Sequence, residues 1–336
     1  MREPGFWWEK PGVLARLLWP FSFVYGAIAL RRMRQPGAMA GIPVICVGNF
    51  TLGGTGKTPA AIAIAKLLIE GGEKPFFLSR GYGGRLAGPV RVEPVSHRAA
   101  DIGDEPLLLA RHAPAIVSHD RTAGAALAQR SGATVIVMDD GLQNPSLSKD
   151  IAIAVVDARR GFGNAQVFPA GPLRAPLRPQ FESVKAILLI GKGAGANHVS
   201  ALARENGCAI LHGRLEPSAD AIKALTRRKV FAFAGIGDPE KFFMTLASAG
   251  IEAQIEESFA DHHPYTEADA ARILTRCETD KLTPVTTEKD MMRLAGATGS
   301  AAKLAASTKT IPVTLVVEEA DLLRKLFRQT LAARRA

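Results

Sequence analysis

The sequence predicts a doubly wound parallel α/β sheet of the P-loop NTPase type, with a second, smaller α/β domain and an N-terminal membrane-associating helix. Three observations carry this reading. A short apolar run leads into GNFTLGGTGKT at 48–58 and then into an apolar helix. A β-branched run at 134–138 (TVIVM) ends in Asp139-Asp140-Gly141. Strand-like and helix-like runs alternate along the rest of the chain. The expected boundaries are 1–40 for the membrane-associating segment, 41–225 for the P-loop domain and 226–336 for the smaller domain.

The N-terminus is compositionally distinct. All three tryptophans, Trp7, Trp8 and Trp19, lie there, and 17–30 (LLWPFSFVYGAIAL) is uncharged between Lys10 and Arg16 on one side and Arg31, Arg32 and Arg34 on the other. Fourteen residues interrupted by Pro20 fall short of the ~20 that span a bilayer. Indole rings favour the headgroup boundary and arginines favour anionic lipid phosphates. A short anchor lying in or dipping into one leaflet is therefore expected; a helix packed on the protein's own core is the rival. A signal peptide fits poorly, because RRMRQPG follows and not a small-residue cleavage site. With 42 Lys+Arg against 32 Asp+Glu the net charge is +10, which favours an anionic partner. Cys46, Cys208 and Cys277 are far apart, giving neither a disulfide framework nor metal spacing, as suits a reducing compartment.

The next strand is expected at 42–47 (IPVICV). Behind it, Thr51, Leu52, Gly53, Gly54, Thr55 and Gly56 form a loop whose backbone N–H groups can curl around phosphates at a helix N-terminus. Lys57 would reach the β- and γ-phosphates of ATP and the Thr58 hydroxyl would bind Mg²⁺. The helix runs to Glu70 and stops at Gly71-Gly72, with Pro59 tolerated in its first turn. Thr51 stands where the strict loop pattern has glycine. The acids closing 134–138 form a Walker B arrangement, with Asp139 the first choice for the metal, Asp140 beside it and Glu105 a further candidate ligand. Parallel strands are also expected at 74–79, 114–118 and 151–157.

Phosphoryl transfer to a hydroxyl calls for a carboxylate that accepts its proton. Asp104 and Glu105, before the apolar run LLLARH, are candidates; two acids favoured at a helix N-terminus are the alternative. Arg80, Tyr82 and Arg85 sit on a glycine-rich loop suited to an anionic substrate group, with a solvated turn as the alternative. Arg174, in FPAGPLRAPL, could neutralise charge on the transferring phosphate. FADHHPY at 259–265 offers His262 and His263, either as a loop without a role or with one imidazole supporting the catalytic acid. The smaller domain should hold a strand at 229–235, a helix at 239–249, a strand near Ile251 and a final helix from Glu319.

In order along the chain, VGNFTLGGTGKTP, LSRGYGG, GDEP, VMDDGLQN, FPAGPLR, FAFAGIGDPEKFF, FADHHPYT and VTTEKD closely resemble the tetraacyldisaccharide 4'-kinases of lipid A biosynthesis. The resemblance implies ATP and Mg²⁺, transfer to the 4'-hydroxyl of an acylated disaccharide 1-phosphate lipid giving lipid IVA, and work at the cytoplasmic face of the inner membrane. By the same resemblance Asp104 is the base, His262 its support and Arg174 the charge-stabilising arginine. Thr51 is ordinary for that family, whereas Asn144 and Ala175 stand where it commonly has histidine and glutamate. A membrane-associated switch ATPase shares the P-loop and the anchor but would yield no phosphorylated small product. Thr287-Glu-Lys-Asp290 lacks the spacing of a GTPase base-reading motif. No nucleic-acid partner is expected, since the aromatics cluster at the N-terminus and are not interleaved with basic residues.

Overall fold

Continuous apolar runs such as VICVG, VIVMD and IAIAVVD are what a parallel sheet covered on both faces requires, and every residue of these three strands is buried. The structure is a computed structural model that describes residues 3–335. The large sheet takes β1 (Val44–Gly48), β2 (Pro75–Ser79), β3 (Val90–Arg91), β4 (Ala115–Val117) and β5 (Val135–Asp139). It continues with β6 (Ile151–Asp157), β7 (Ala186–Ile190) and β8 (Ala209–Pro217). A smaller parallel sheet follows from β9 (Val230–Ala234), β10 (Ala253–Ser258), β11 (Thr283–Thr286) and β12 (Lys309–Thr310), and β13 (Val313–Val317) then returns to the large one. The large sheet has the order β13-β8-β7-β6-β1-β5-β2-β4-β3, parallel except at its two edges.

The chain runs out from β1 to β3, returns to β5 beside β1, and then crosses to β6 on its other side; this switch point opens a crevice beyond the strand C-termini. Register pairs Val47 with Asp139, so the glycine loop after Gly48 emerges beside the Walker B carboxylate. One face of the sheet is covered by the helix Lys57–Glu70 through Ile64 and Leu68, by Leu107 to Leu109, and by Leu323, Phe327 and Leu331. The last three belong to the final helix, Ala320–Arg335, at spacing i, i+4, i+8. The expected domain limit of 336 therefore needs correction. β13 pairs antiparallel with β8 and the final helix buries its apolar stripe against the large sheet, so the chain leaves the small unit after Ile311.

One short helix ties the two units together. Within Glu288–Leu294, Met292 is buried in the large unit's core and Leu294 in the small unit's.

The N-terminal helix is longer than the uncharged run suggested, Val13–Met33, because arginine is a good helix former and Arg16, Arg31 and Arg32 continue it. Its 21 residues rise about 30 Å, enough by length to cross a hydrocarbon core. Ala15, Ser22 and Gly26 form the stripe that is buried. Ser22 Oγ accepts the N–H of Ala170 at 2.9 Å, and Gly26 faces Pro176 and Val167. The remainder is apolar and outward: Leu17, Trp19, Phe21, Phe23 and Ile28 are each more than half exposed. Ahead of it Trp7 is buried and donates to the Pro169 carbonyl at 3.0 Å.

Candidate active site

The glycine loop is left-handed at Gly53 (φ 98°) and Gly56 (φ 93°), conformations open to glycine at little cost, and Lys57 and Thr58 open the helix behind it. The Pro-rich segment before residue 177 is laced onto this loop. Leu52 N–H donates to Pro172 O at 2.8 Å, Arg174 N–H to Phe50 O at 2.8 Å, and Arg174 Nε to Thr51 O at 3.0 Å. Gly54 lies against Gly237 and Asp238 of the small unit. Thr55 is buried with its Oγ1 unpartnered among the described residues.

β5 ends at Asp139, and Asp140 turns out of the strand with φ 51°. The two acids consequently meet different surroundings. Asp140 receives Arg174 Nη1 at 2.8 Å and has Lys57 Nζ at 3.8 Å. Burial opposes its ionisation, yet Lys57 and Arg174 hold its carboxyl below the usual carboxylate range. Both oxygens of Asp139 are buried without a hydrogen-bond partner among the described residues. Burial and the neighbouring charges of Glu105 and Asp140 push its carboxyl up to about 7. A buried, unpaired carboxylate that feels the charge of Glu105, which in turn faces the Thr58 hydroxyl, is a donor set suited to a hard, oxygen-loving dication. Thr58 Oγ1 and Glu105 Oε1 stand 3.5 Å apart, and Glu105 is held meanwhile by Lys289 Nζ at 2.6 Å.

Asp104 begins the helix Asp104–Leu109 and is 3% exposed. Gly103 precedes it at φ 88°, where a Cβ would lie 2.5 Å from the Tyr82 carbonyl, so the turn can press against the 80–85 loop only as glycine. Nδ1 of His262 stands 3.1 and 3.2 Å from the two Asp104 oxygens, and Arg293 Nε donates to Oδ2 at 2.7 Å. Burial favours the neutral acid, but the His262 hydrogen bond and the charges of Arg293 and Lys289 outweigh it and keep Asp104 well below the carboxylate range. In return the Asp104 hydrogen bond raises the His262 pKa. His263 has a different place: its Nε2 is 3.0 Å from Asp269 and its ring stacks on Phe259.

The 80–85 loop is divided. The Tyr82 ring, mostly exposed, lies 5.1 Å from that of His262 at the rim of the cleft. Arg80 is exposed and forms no ion pair among the described residues, whereas Arg85 is committed to Asp101 at 2.7 Å. Asn144 accepts the N–H and hydroxyl of Ser146 and closes its own turn. Ala175 is fully buried, and its carbonyl accepts from Gln180 at 2.7 Å. Sequence reasoning missed Lys289 and Arg293. The signal was present in TEKDMMR after a strand end, which places two cations four residues apart on one helix face.

Fold and site together define a P-loop phosphotransferase, with glycine loop, Walker B acid and a buried aspartate paired with a histidine at one crevice. Residues 14–332 match the family described as LpxK, tetraacyldisaccharide-1-P 4'-kinase. The tetraacyldisaccharide 4'-kinase of Rhodopseudomonas palustris (strain BisB18) is 51% identical over 335 residues, 100% of this chain and 97% of that one. That of Methylobacterium nodulans is 54% identical over 334 residues, 99% of this chain and 96% of the other. The crystal structure of LpxK from Aquifex aeolicus in complex with ATP superimposes with a TM-score of 0.73 at 26% identity, covering 95% of this chain and 100% of that one. The chain belongs to the tetraacyldisaccharide 4'-kinase family, and its activity is phosphorylation of the 4' position in lipid A biosynthesis.

Proposed function

We propose that Asp104, supported by His262, accepts the proton of the 4'-hydroxyl of a tetraacyldisaccharide 1-phosphate at the membrane surface. The 3.1 Å approach of His262 to Asp104, joined to the P-loop through Glu105 and Thr58, is the observation that carries this reading. The loop 51–58 wraps the triphosphate of ATP. Lys57 and Arg174, aligned by Asp140, neutralise charge gathering on the transferred group. Thr58, Asp139 and Glu105 would hold Mg²⁺, which when bound screens the phosphate oxygens from the site's carboxylates. Glu105, paired with Lys289 at 2.6 Å, would supply one of these oxygen ligands. Tyr82, whose ring lies 5.1 Å from that of His262, and the exposed Arg80 on the same loop would meet the acceptor, and Arg85 supports the loop through Asp101.

The outward apolar residues of the helix Val13–Met33, flanked by arginines, support association with an anionic bilayer, where a multiply acylated acceptor resides; the positive-inside tendency favours the cytoplasmic face. The test supplies γ-labelled ATP, Mg²⁺ and the lipid disaccharide 1-phosphate in micelles. Label at the 4' position that forms orders of magnitude more slowly in Asp104→Asn supports the reading. A fully active Asp104→Asn enzyme removes Asp104 as base.

A further inference from the structure

The Asp104 side chain is carried by the large unit, but its carboxylate is gripped by the small one. Its terminal torsion is intrinsically soft, so fixing the carboxylate plane needs clamps on both oxygens. Glu105 N–H bonds Oδ1 at 2.9 Å, His262 Nδ1 lies between the oxygens, and Arg293 takes Oδ2 through Nε, with Nη2 also in contact. Arg293 is itself immobilised. Its Nη1 donates to Asp290 Oδ1 at 2.7 Å and to Gly235 O at 2.6 Å, and its side chain is 6% exposed. Asp290, fully buried, also accepts Gly235 N–H at 2.9 Å, Tyr265 O–H at 2.8 Å and Thr287 O–H at 2.6 Å. The chain Tyr265–Asp290–Arg293–Asp104 thus runs from the small sheet's loops into the reaction centre along the helix that bridges the two cores.

We propose that Arg293 is a positioning residue for phosphoryl transfer: anchored by Asp290, it fixes the Asp104 carboxylate against His262, so that the base is oriented by the small unit. This rests on the reading of Asp104 as proton acceptor. A rigid planar fork is needed because one contact must aim the carboxylate while another holds Asp290 and Gly235; a lysine supplies the charge without that geometry.

The full-length enzyme in lipid micelles tests it through kcat and KM for both substrates, with ATP affinity measured separately by titration. Arg293→Met is expected to lower kcat by ~100-fold, the scale of a misplacement near 1 Å, with both KM values within about twofold. Arg293→Lys should recover part of that loss. In an Asp104→Asn background Arg293→Met should cost nothing further, because the group it aims is gone. If Arg293→Met does not fold, Arg293→Lys decides: a wild-type kcat overturns the proposal, as does a loss shared equally by ATP affinity. A multiplicative loss in the Asp104→Asn background also overturns it, showing a general structural role. An Asp104→Asn enzyme with full turnover overturns instead the base assignment on which the proposal rests.

Discussion

The two walls of the cleft each bury a carboxylate, and the two are treated oppositely. Asp139, on the large-sheet wall, has no hydrogen-bond partner among the described residues and is pushed toward neutrality. Asp104, on the wall facing the small unit, is surrounded by His262, Arg293 and Lys289 and is held ionised. A buried charge left unpaired is costly, so on the proposed reading the first wall would take its cation with the nucleotide, whereas the second carries its own. The N-terminal helix repeats the first wall's logic in apolar form: a narrow stripe is packed, while Leu17, Trp19, Phe21, Phe23 and Ile28 stay more than half exposed.

The largest expected effect tests the second wall. Asp104→Ala should lower kcat by ~10³-fold while ATP affinity stays within about twofold, since a general base contributes to the transition state and not to nucleotide binding. Initial rates alongside nucleotide titration read both. An equal loss of ATP binding would mean that the two walls act as one nucleotide site.

Melting temperatures then set the walls directly against each other. Without metal, Asp104→Asn should melt several degrees lower, because it removes one of the two carboxylates paired with the buried Arg293; Asp139→Asn should melt at or above wild type, because it removes an unpaired charge. With Mg²⁺ and ATP the order should invert for Asp139→Asn, whose metal affinity falls by at least the roughly 10–100-fold that losing even an outer-shell partner costs. Matching shifts for the two variants would erase the distinction.

The nucleotide wall was legible in the sequence because its chemistry is local: Lys57 and Thr58 follow the loop, and Asp139 ends an apolar strand. The facing wall was half legible. Asp104 could equally have been a helix-terminal acid until His262 arrived from 158 residues away. For Arg293 only the spacing was legible, two cations on one helix face; its partner is a contact 189 residues distant, and its motif reads locally as a capped surface helix. The final helix misled for a related reason, because sequence order places it after the small unit while its apolar stripe matches the large sheet.

The unpartnered helix face offers a cleaner test than deletion. Removing residues 1–34 would also take away Trp7 and Ser22, which seat the 163–176 segment that positions Arg174. Replacing Trp19, Phe21 and Phe23 with serine leaves those contacts intact. It should reduce partitioning onto vesicles containing anionic lipid by ~10-fold or more, given the free energy of burying aromatic side chains. Sedimentation that does not change would place the attraction elsewhere on the cationic surface.

The smallest effect concerns pH. His262 gains its raised pKa first from the Asp104 hydrogen bond, then from the charges of Asp104 and of Asp261, 3.8 Å away, with burial and Arg293 opposing. A raised folded-state value means that the folded protein binds this proton more tightly than the unfolded chain does. The resulting stability is fully present below the unfolded value of ~6.5 and is lost as pH rises through the folded one. His262→Gln should therefore lower the melting temperature by a few degrees at pH 5.5, where the imidazolium–carboxylate pair is complete, and by less at pH 9, where only a neutral hydrogen bond is replaced. A penalty independent of pH would show that Asp104 holds His262 by geometry alone, leaving Arg293 and Lys289 as the only cations that set the second wall apart from the first.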